Sequence, residues 1–342
     1  MFLKHSTNYF LQLQEGDYRI VDVTLHPLKN HIMDPAIILK GAGIFILSVN
    51  IILNVSILSL LYIHFRPLKS NIPMLLVCNT YFNLVIVSMI MLMMYGHALH
   101  NNIIYTLPTN DWWCQFRTFI SYVGFCALFY SFVLQSLFRF FRIVLYRWKI
   151  FQSPKVYYVG ILIQWVVSFL CILPNLLMKD YRILVNEYSC AIDLRNIRGL
   201  ILAFSNTFTI PVSIVFIMYT YIILYTRRVT NMSQQRKSSN SRDLVVVKRI
   251  ILVLLSIITI GLPTTVLIIT SLVTNITIPF SYDIQSLLII IGIPVASISL
   301  IFVMPQTKEL FKRQRNPNSV PPILSIRVNR ISNLTSKINS IK

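Results

Sequence analysis

The chain contains little charge, and acidic residues are especially few. Only 12% of its 342 residues are charged, and 31 Lys and Arg outnumber 11 Asp and Glu. Hydrophobic residues make up 55% of the chain, and no repeat with a period of about 20–50 residues is present. This composition excludes an ordinary soluble protein and a repeat array, and it is typical of a membrane protein.

Metal-binding clusters and a cleavable signal peptide are also missing from the sequence. The six histidines are scattered near loops and span ends, and none belongs to a group with metal-ligand spacing. Met1 to Pro35 lacks a basic start followed by an apolar core and a small-residue cleavage site. We therefore expect no enzyme activity, no metal and no cofactor, and a first span that serves as an uncleaved signal anchor.

Seven long apolar stretches dominate the sequence, and a helix needs about 20 apolar residues to cross a bilayer core. The predicted spans are residues 36–63, 72–95, 114–146, 156–178, 199–225, 244–273 and 282–304. The cationic segment Lys308 to Arg315 contains Leu310 and Phe311, which favours a short amphipathic helix on the membrane surface. The prediction is an all-α membrane protein: a seven-transmembrane helix bundle with a short amphipathic eighth helix. This domain occupies residues 36–315, between an N-terminal tail (1–35) and a disordered tail (316–342).

Positive charge is concentrated in alternate gaps between the spans. The segments 66–69, 139–155, 227–249 and 308–342 contain 22 of the 31 Lys and Arg and only two acids. Because Lys and Arg in short loops remain in the cytoplasm, the N-terminus is predicted outside the plasma membrane and the C-terminus inside. The basic residues then face anionic lipid and a cytosolic partner, and nucleic acid is not an expected partner.

The third predicted span carries a notable residue at each end. Arg139 follows Cys114 by 25 residues, which is about 37 Å of helix. Arg139 either has a functional partner or extends to the headgroups. Cys114 and Cys190 both fall on the predicted outer side, so they are either bridged or two free thiols. Asn275 begins a glycosylation sequon, but it lies so close to two spans that we expect it to stay unmodified.

Asparagines are repeated in the first two spans. Asn50 and Asn54 lie four residues apart in the first span, as do Asn79 and Asn83 in the second. Because an amide in hydrocarbon needs a partner, these four residues either form one polar cluster or separately stabilise helix packing.

Together these features resemble the rhodopsin-like (class A) family of G-protein-coupled receptors over about residues 36–315. The matching positions are Asn50 (or Asn54), Cys114, Arg139, Trp165, Cys190, Pro211, Tyr219 and Pro263. The resemblance implies a disulfide between Cys114 and Cys190. It also implies a switch in which Arg139, Tyr219, Pro211 and Pro263 couple the receptor to a heterotrimeric G protein.

Several family motifs are altered. The Asp-Arg-Tyr motif reads Phe138-Arg139-Phe140, and Gly261 stands where the sixth span would carry tryptophan. Asn-Pro-x-x-Tyr is absent from the seventh span, where Pro294 is followed by Val-Ala-Ser. The sequence resembles a divergent invertebrate receptor of orphan or chemosensory type. Asp243, at the inner start of the sixth span, either forms a latch with Arg139 or only favours a helix N-terminus.

The ligand is weakly constrained by the sequence. By resemblance, an amine receptor would carry an aspartate at Ser121, and an opsin would carry a lysine in the seventh span, where none occurs. The candidate pocket residues, which would suit a peptide or a small polar molecule, are Arg117, Ser121, Tyr122, Phe125, Thr207 and Gln285. The alternative to a receptor is a membrane transporter or channel of seven-helix architecture.

Overall fold

The computed structural model describes residues 35–64, 71–104, 111–184, 189–193, 196–232 and 281–303, together with eight positions between 255 and 270. Within this part of the chain, six helices are long and apolar enough to cross a membrane. The remaining predicted span is the sixth (residues 244–273), of which only those eight positions are described, all of them helical. The predicted N-terminal tail (residues 1–35) is one residue too long, because the first helix already begins at Pro35. The rest of that tail, the predicted C-terminal tail (residues 316–342), the predicted eighth helix, Asp243, Pro263 and Asn275 lie outside the described residues.

The first four spans are α1 (Pro35–His64), α2 (Ile72–Ile104), α3 (Asp111–Ile143) and α4 (Pro154–Leu177). At 33 residues, α2 is about 50 Å long, so it extends well beyond a hydrocarbon core of about 30 Å. The predicted end of this span at residue 95 is therefore too early. The polar residues after Tyr95 suggest a loop, but the helix continues because Ala98, Asn101 and Asn102 are buried against the bundle.

The fifth span contains an irregular turn. Helix α5 (Ile197–Phe204) continues through a π-helical turn (Ser205–Thr209) into α6 (Ile210–Met232). Pro211 lies two residues after the end of this turn. It cannot donate a backbone hydrogen bond, and a wider turn before it accommodates the missing bond. The Asn206 Nδ2 donates to the Cys171 carbonyl oxygen of α4 at 3.1 Å, which holds the turn against its neighbour. The seventh span is α7 (Ser281–Val303), with Pro294 inside it.

A β-hairpin connects the fourth and fifth spans, which the all-α prediction did not include. Strand β1 (Tyr181–Leu184) pairs antiparallel with β2 (Ser189–Ile192), and Ile183 lies opposite Cys190. Buried Asp180 precedes β1 and accepts hydrogen bonds from Asn196 at 2.8 Å and Arg198 at 3.0 Å. These two bonds join the start of the hairpin to the start of α5.

The distribution of polar and apolar residues is that of a protein in lipid. Asn50, Asn54 and Asn83 are buried, whereas Phe45 and Leu162 have about two thirds of their surface exposed. In water this arrangement would be unfavourable, but in a bilayer the apolar exterior meets lipid chains. The largest apolar cluster joins α1, α2, α3, α6 and α7 and includes Leu47, Tyr81, Phe132, Val215 and Ile293.

Candidate functional site

A polar network joins α1, α2 and α7 in the interior of the bundle. The Asn50 Nδ2 donates to the Ser88 Oγ at 2.8 Å, and the Ser297 Oγ donates to the Asn50 Oδ1 at 3.3 Å. The Tyr81 hydroxyl donates to the Ser297 carbonyl oxygen at 3.0 Å. Asn54 instead donates to the Asn50 carbonyl oxygen of its own helix. Asn50 is therefore the asparagine that connects the first span to its neighbours.

A second network faces the opposite side of α2. The Asn79 Nδ2 donates to the Gln164 Oε1 at 2.9 Å, and the Gln164 Nε2 donates to the Ala127 carbonyl oxygen at 2.7 Å. Of the two alternatives for the asparagines, a single cluster does not include Asn79, because its amide faces α4. Buried Asn83 has neither amide atom hydrogen-bonded within the described part of the chain.

The predicted disulfide between Cys114 and Cys190 is confirmed. Their Cα atoms are 5.7 Å apart, and the bridge closes a separation of 76 residues. The Thr118 Oγ1 lies 3.0 Å from the Cys114 carbonyl oxygen and 3.1 Å from the Cys190 carbonyl oxygen. The hairpin is thus attached to one end of α3, which we call the disulfide end.

The candidate pocket residues of α3 face two different directions. The Ser121 Oγ donates to the Met91 Sδ of α2 at 3.7 Å. The Tyr122 ring lies against the Tyr181 ring of the hairpin, with their centroids 5.8 Å apart. Because Tyr181 is buried, the pKa of its phenol is raised well above the usual range. Ser121 and Tyr122 therefore contact different neighbours, α2 and the hairpin.

The other candidate pocket residues lie on three elements. Phe125 packs against the large apolar cluster. Thr207 is buried in the π-helical turn, and its hydroxyl has no hydrogen-bond partner among the residues that the structure describes. Gln285 lies near the start of α7. The contacts given above join none of the three to Ser121 or Tyr122, so a shared ligand pocket stays a prediction.

Arg117 is the candidate pocket residue with the most distinctive surroundings. Its Nε is buried and has no hydrogen-bond acceptor in the described segments. Its Cζ lies 5.9 Å from the centre of the Trp113 ring. Its charge also interacts with His97 of α2, whose Nδ1 is 2.9 Å from the Asn101 Nδ2. If α2 had been predicted to continue past residue 95, the spacing of four residues between His97 and Asn101 would have placed both on one face of the helix.

An ion pair between α1 and α7 was also missed from the sequence. The Lys40 Nζ lies 3.8 Å from the Asp283 Oδ1, and both side chains are largely buried. The available signal was the lysine itself, because a charge inside an apolar span needs a partner. This pair fixes α1 against the start of α7.

At the other end of α3, Arg139 contacts Tyr219 of α6. The Arg139 Nη1 donates to the Tyr219 hydroxyl at 3.2 Å, and the Arg139 Cζ lies 5.9 Å from the centre of the Tyr219 ring. The structure thus brings two of the predicted switch residues together. Pro211 belongs to the same span as Tyr219 and precedes it by eight residues, near the start of α6.

The position of the missing tryptophan is filled from a different span. Gly261 is buried, and a Cβ atom at this position would overlap the Phe208 ring. Phe208 belongs to the π-helical turn and packs edge to face against Phe129 of α3, with ring centroids 5.5 Å apart. An aromatic ring of the fifth span therefore occupies the space that a larger residue at 261 would need.

The helices and the disulfide agree with the comparison with known families. The family model for the 7 transmembrane receptor (rhodopsin family) matches residues 74–301, about two thirds of the chain. No curated protein matches the chain. The chain is thus a multi-pass membrane protein and belongs to the rhodopsin family of seven-transmembrane receptors.

Proposed function

We propose that this receptor transmits the binding of an extracellular ligand, a peptide or a small polar molecule, to a heterotrimeric G protein in the cytosol. The hydrogen bond between Arg139 and Tyr219 carries the proposal, because it joins the two positions that the family resemblance assigns to G-protein coupling. The partly buried guanidinium is held against a tyrosine, from which it can be released toward a partner.

The proposed orientation places the disulfide end outside the cell. A disulfide forms and persists in an oxidising compartment, and Cys114 lies at the opposite end of α3 from Arg139. The excess of Lys and Arg in alternate gaps independently favours the cytosol for the Arg139 end. The receptor then lies in the plasma membrane with an extracellular N-terminus and a cytoplasmic C-terminus.

Switching requires that the agonist bind the active arrangement more tightly than the resting one. In the proposed transition, the inner end of the sixth span moves outward about a pivot near Pro263, and Arg139 is released from Asp243. If the agonist's binding free energy differs by about 5 kcal/mol between the two states, the receptor population moves from mostly inactive to mostly active. The contact of Phe208 with Gly261, two residues before Pro263, supports coupling between the fifth and sixth spans near that pivot.

The altered motifs are the basis for proposing a divergent invertebrate receptor of orphan or chemosensory type. Phe138 replaces the acid that precedes the arginine in the family motif, and its ring lies 5.3 Å from the Tyr157 ring of α4 in an edge-to-face contact. Besides the hydrogen bond to Tyr219, the proposed restraint of Arg139 is an ion pair with Asp243, in place of the missing acid.

A G-protein activation screen in cells that express the full chain tests this function, with peptides and polar odorants as candidate agonists. Arg139→Ala should abolish the response at equal surface expression. Lys155→Ala, which removes an exposed cation at the same end, should retain the response. Asp243→Asn should raise basal activity. A response that survives Arg139→Ala contradicts the proposed coupling, and substrate uptake without G-protein activation would favour a transporter.

A further inference from the structure

A group of polar and basic side chains lies between α2 and α3 at the disulfide end. We call it the Arg117 cluster, and it consists of His97, Asn101 and Arg117. Asn101 is 5% exposed and lies within hydrogen-bond distance of His97. His97 and Asn101 come from the part of α2 that continues past residue 95. The extension of that helix therefore brings them beside Arg117 of α3.

The Arg117 cluster carries positive charge without a carboxylate within ion-pair distance in the described segments. Two of the described acids are engaged elsewhere, because Asp180 pairs with Arg198 and Asp283 pairs with Lys40. A partly buried guanidinium normally has an anionic partner, since desolvation of an unpaired charge is unfavourable. The buried and unbonded Nε of Arg117 therefore indicates a position for an anion.

The orientation of Arg117 is also suited to binding. The Trp113 ring lies 5.9 Å from the guanidinium carbon, and such a cation–π contact restricts the side chain while its N–H groups remain available. A planar guanidinium matches a carboxylate through two parallel hydrogen bonds. Ser121 lies one helical turn deeper on the same face of α3, so the ligand body would extend toward Ser121 and Met91.

We propose that the ligand of this receptor carries a carboxylate that binds the Arg117 guanidinium between α2 and α3. This inference rests on the proposed receptor function and names the chemical class of its ligand. The carboxylate can belong to a small organic acid or to the free C-terminus of a peptide. In either case the charged group lies near the membrane surface, and the neutral part of the ligand lies deeper in the bundle.

The test uses full-length receptor purified in detergent and measures the shift in thermal unfolding temperature with matched probes. One arm compares small carboxylic acids with their primary amides, and the other compares peptides with a free C-terminus and the same peptides amidated. At least one acid should stabilise the receptor while its amide does not. Arg117→Gln should weaken that binding on the order of 10- to 100-fold, and Arg117→Lys should weaken it less.

Arg182→Gln is the matched control, because Arg182 is an exposed cation of β1 on the same side of the membrane. It should retain the binding of the acid, whereas an equal loss would indicate a general charge effect and overturn the proposal. Equal binding of acids and amides, or no shift with any acid, would also overturn it. An assay of G-protein activation separates the two proposals. If acids bind through Arg117 but none activates a G protein, only the proposed receptor function is contradicted. If a neutral agonist activates the receptor equally well with and without Arg117, only the proposed carboxylate site is contradicted.

Discussion

The packing of Phe208 against Gly261 leads to a quantitative stability prediction. In Gly261→Ala, the added Cβ overlaps the Phe208 ring, which also contacts Phe129 and Phe204. Overpacking of this kind costs about 1–3 kcal/mol, and replacing a helical glycine by alanine otherwise gains about 0.5–1 kcal/mol. We therefore expect Gly261→Ala to lower the free energy of unfolding by about 0–2.5 kcal/mol.

Thermal unfolding of the purified full-length receptor measures this loss, and Gly41→Ala provides the matched control. A Cβ at Gly41 of α1 would meet no atom within 4 Å, so this variant should be unchanged or slightly stabilised. Phe208→Leu removes part of the ring and should itself destabilise, because a cavity remains. In the double variant Gly261→Ala/Phe208→Leu, the losses should not add, with a coupling of about 1–2 kcal/mol.

Three results would count against the packing argument. If Gly261→Ala stabilises the receptor as much as Gly41→Ala does, the Phe208 ring does not occupy the space beside Gly261. If the losses of the two single variants simply add, the ring and the glycine do not interact, and the proposed coupling between the fifth and sixth spans loses its support. A selective effect on G-protein activation, with unfolding unchanged, would also count against a packing role.

Three further stability predictions follow from the buried contacts of the bundle. Cys114→Ser should destabilise by about 4 kcal/mol, and a reducing agent should reproduce the loss in the wild-type receptor. Gln164→Leu leaves the amide of Asn79 unpaired and should destabilise by about 1–3 kcal/mol, whereas adding Asn79→Leu should recover part of the loss. Lys40→Met removes the cation that pairs with buried Asp283 and should lower the free energy of unfolding by about 3–5 kcal/mol. If the double variant Lys40→Met/Asp283→Leu does not recover stability in thermal unfolding, loss of the ion pair is not the cause of the destabilisation.

Much of the fold could be predicted because the relevant signals are local along the chain. The length of an apolar stretch decides whether a helix crosses a bilayer, so the first three spans begin within a few residues of their predicted starts. The spacing within α3 likewise separates Cys114 from Arg139 by the thickness of the membrane. A contact such as Arg139 with Tyr219 could be expected only from the family resemblance, because nothing local pairs α3 with α6.

The features that sequence reasoning missed depend on contacts between distant segments. The hairpin is held by Asp180 and by the disulfide, and α2 continues past residue 95 because Asn101 and Asn102 find buried positions in the bundle. Neither the hairpin nor the extension of α2 can be deduced from the polarity of its own residues, because that polarity predicts a loop in both segments.

Gly261 illustrates how a motif can change while the packing of the bundle is preserved. From the sequence, the glycine indicates loss of the aromatic residue that the family carries in the sixth span. In the structure, the π-helical turn directs Phe208 into the space beside this glycine, so an aromatic ring still packs against Phe129 of α3. Because interiors are close-packed, a small residue in one span permits a large residue in its neighbour. When motifs in divergent receptors are compared, the side-chain volumes of facing positions in neighbouring spans should therefore be considered together. The double variant Gly261→Ala/Phe208→Leu measures whether these two positions depend on each other.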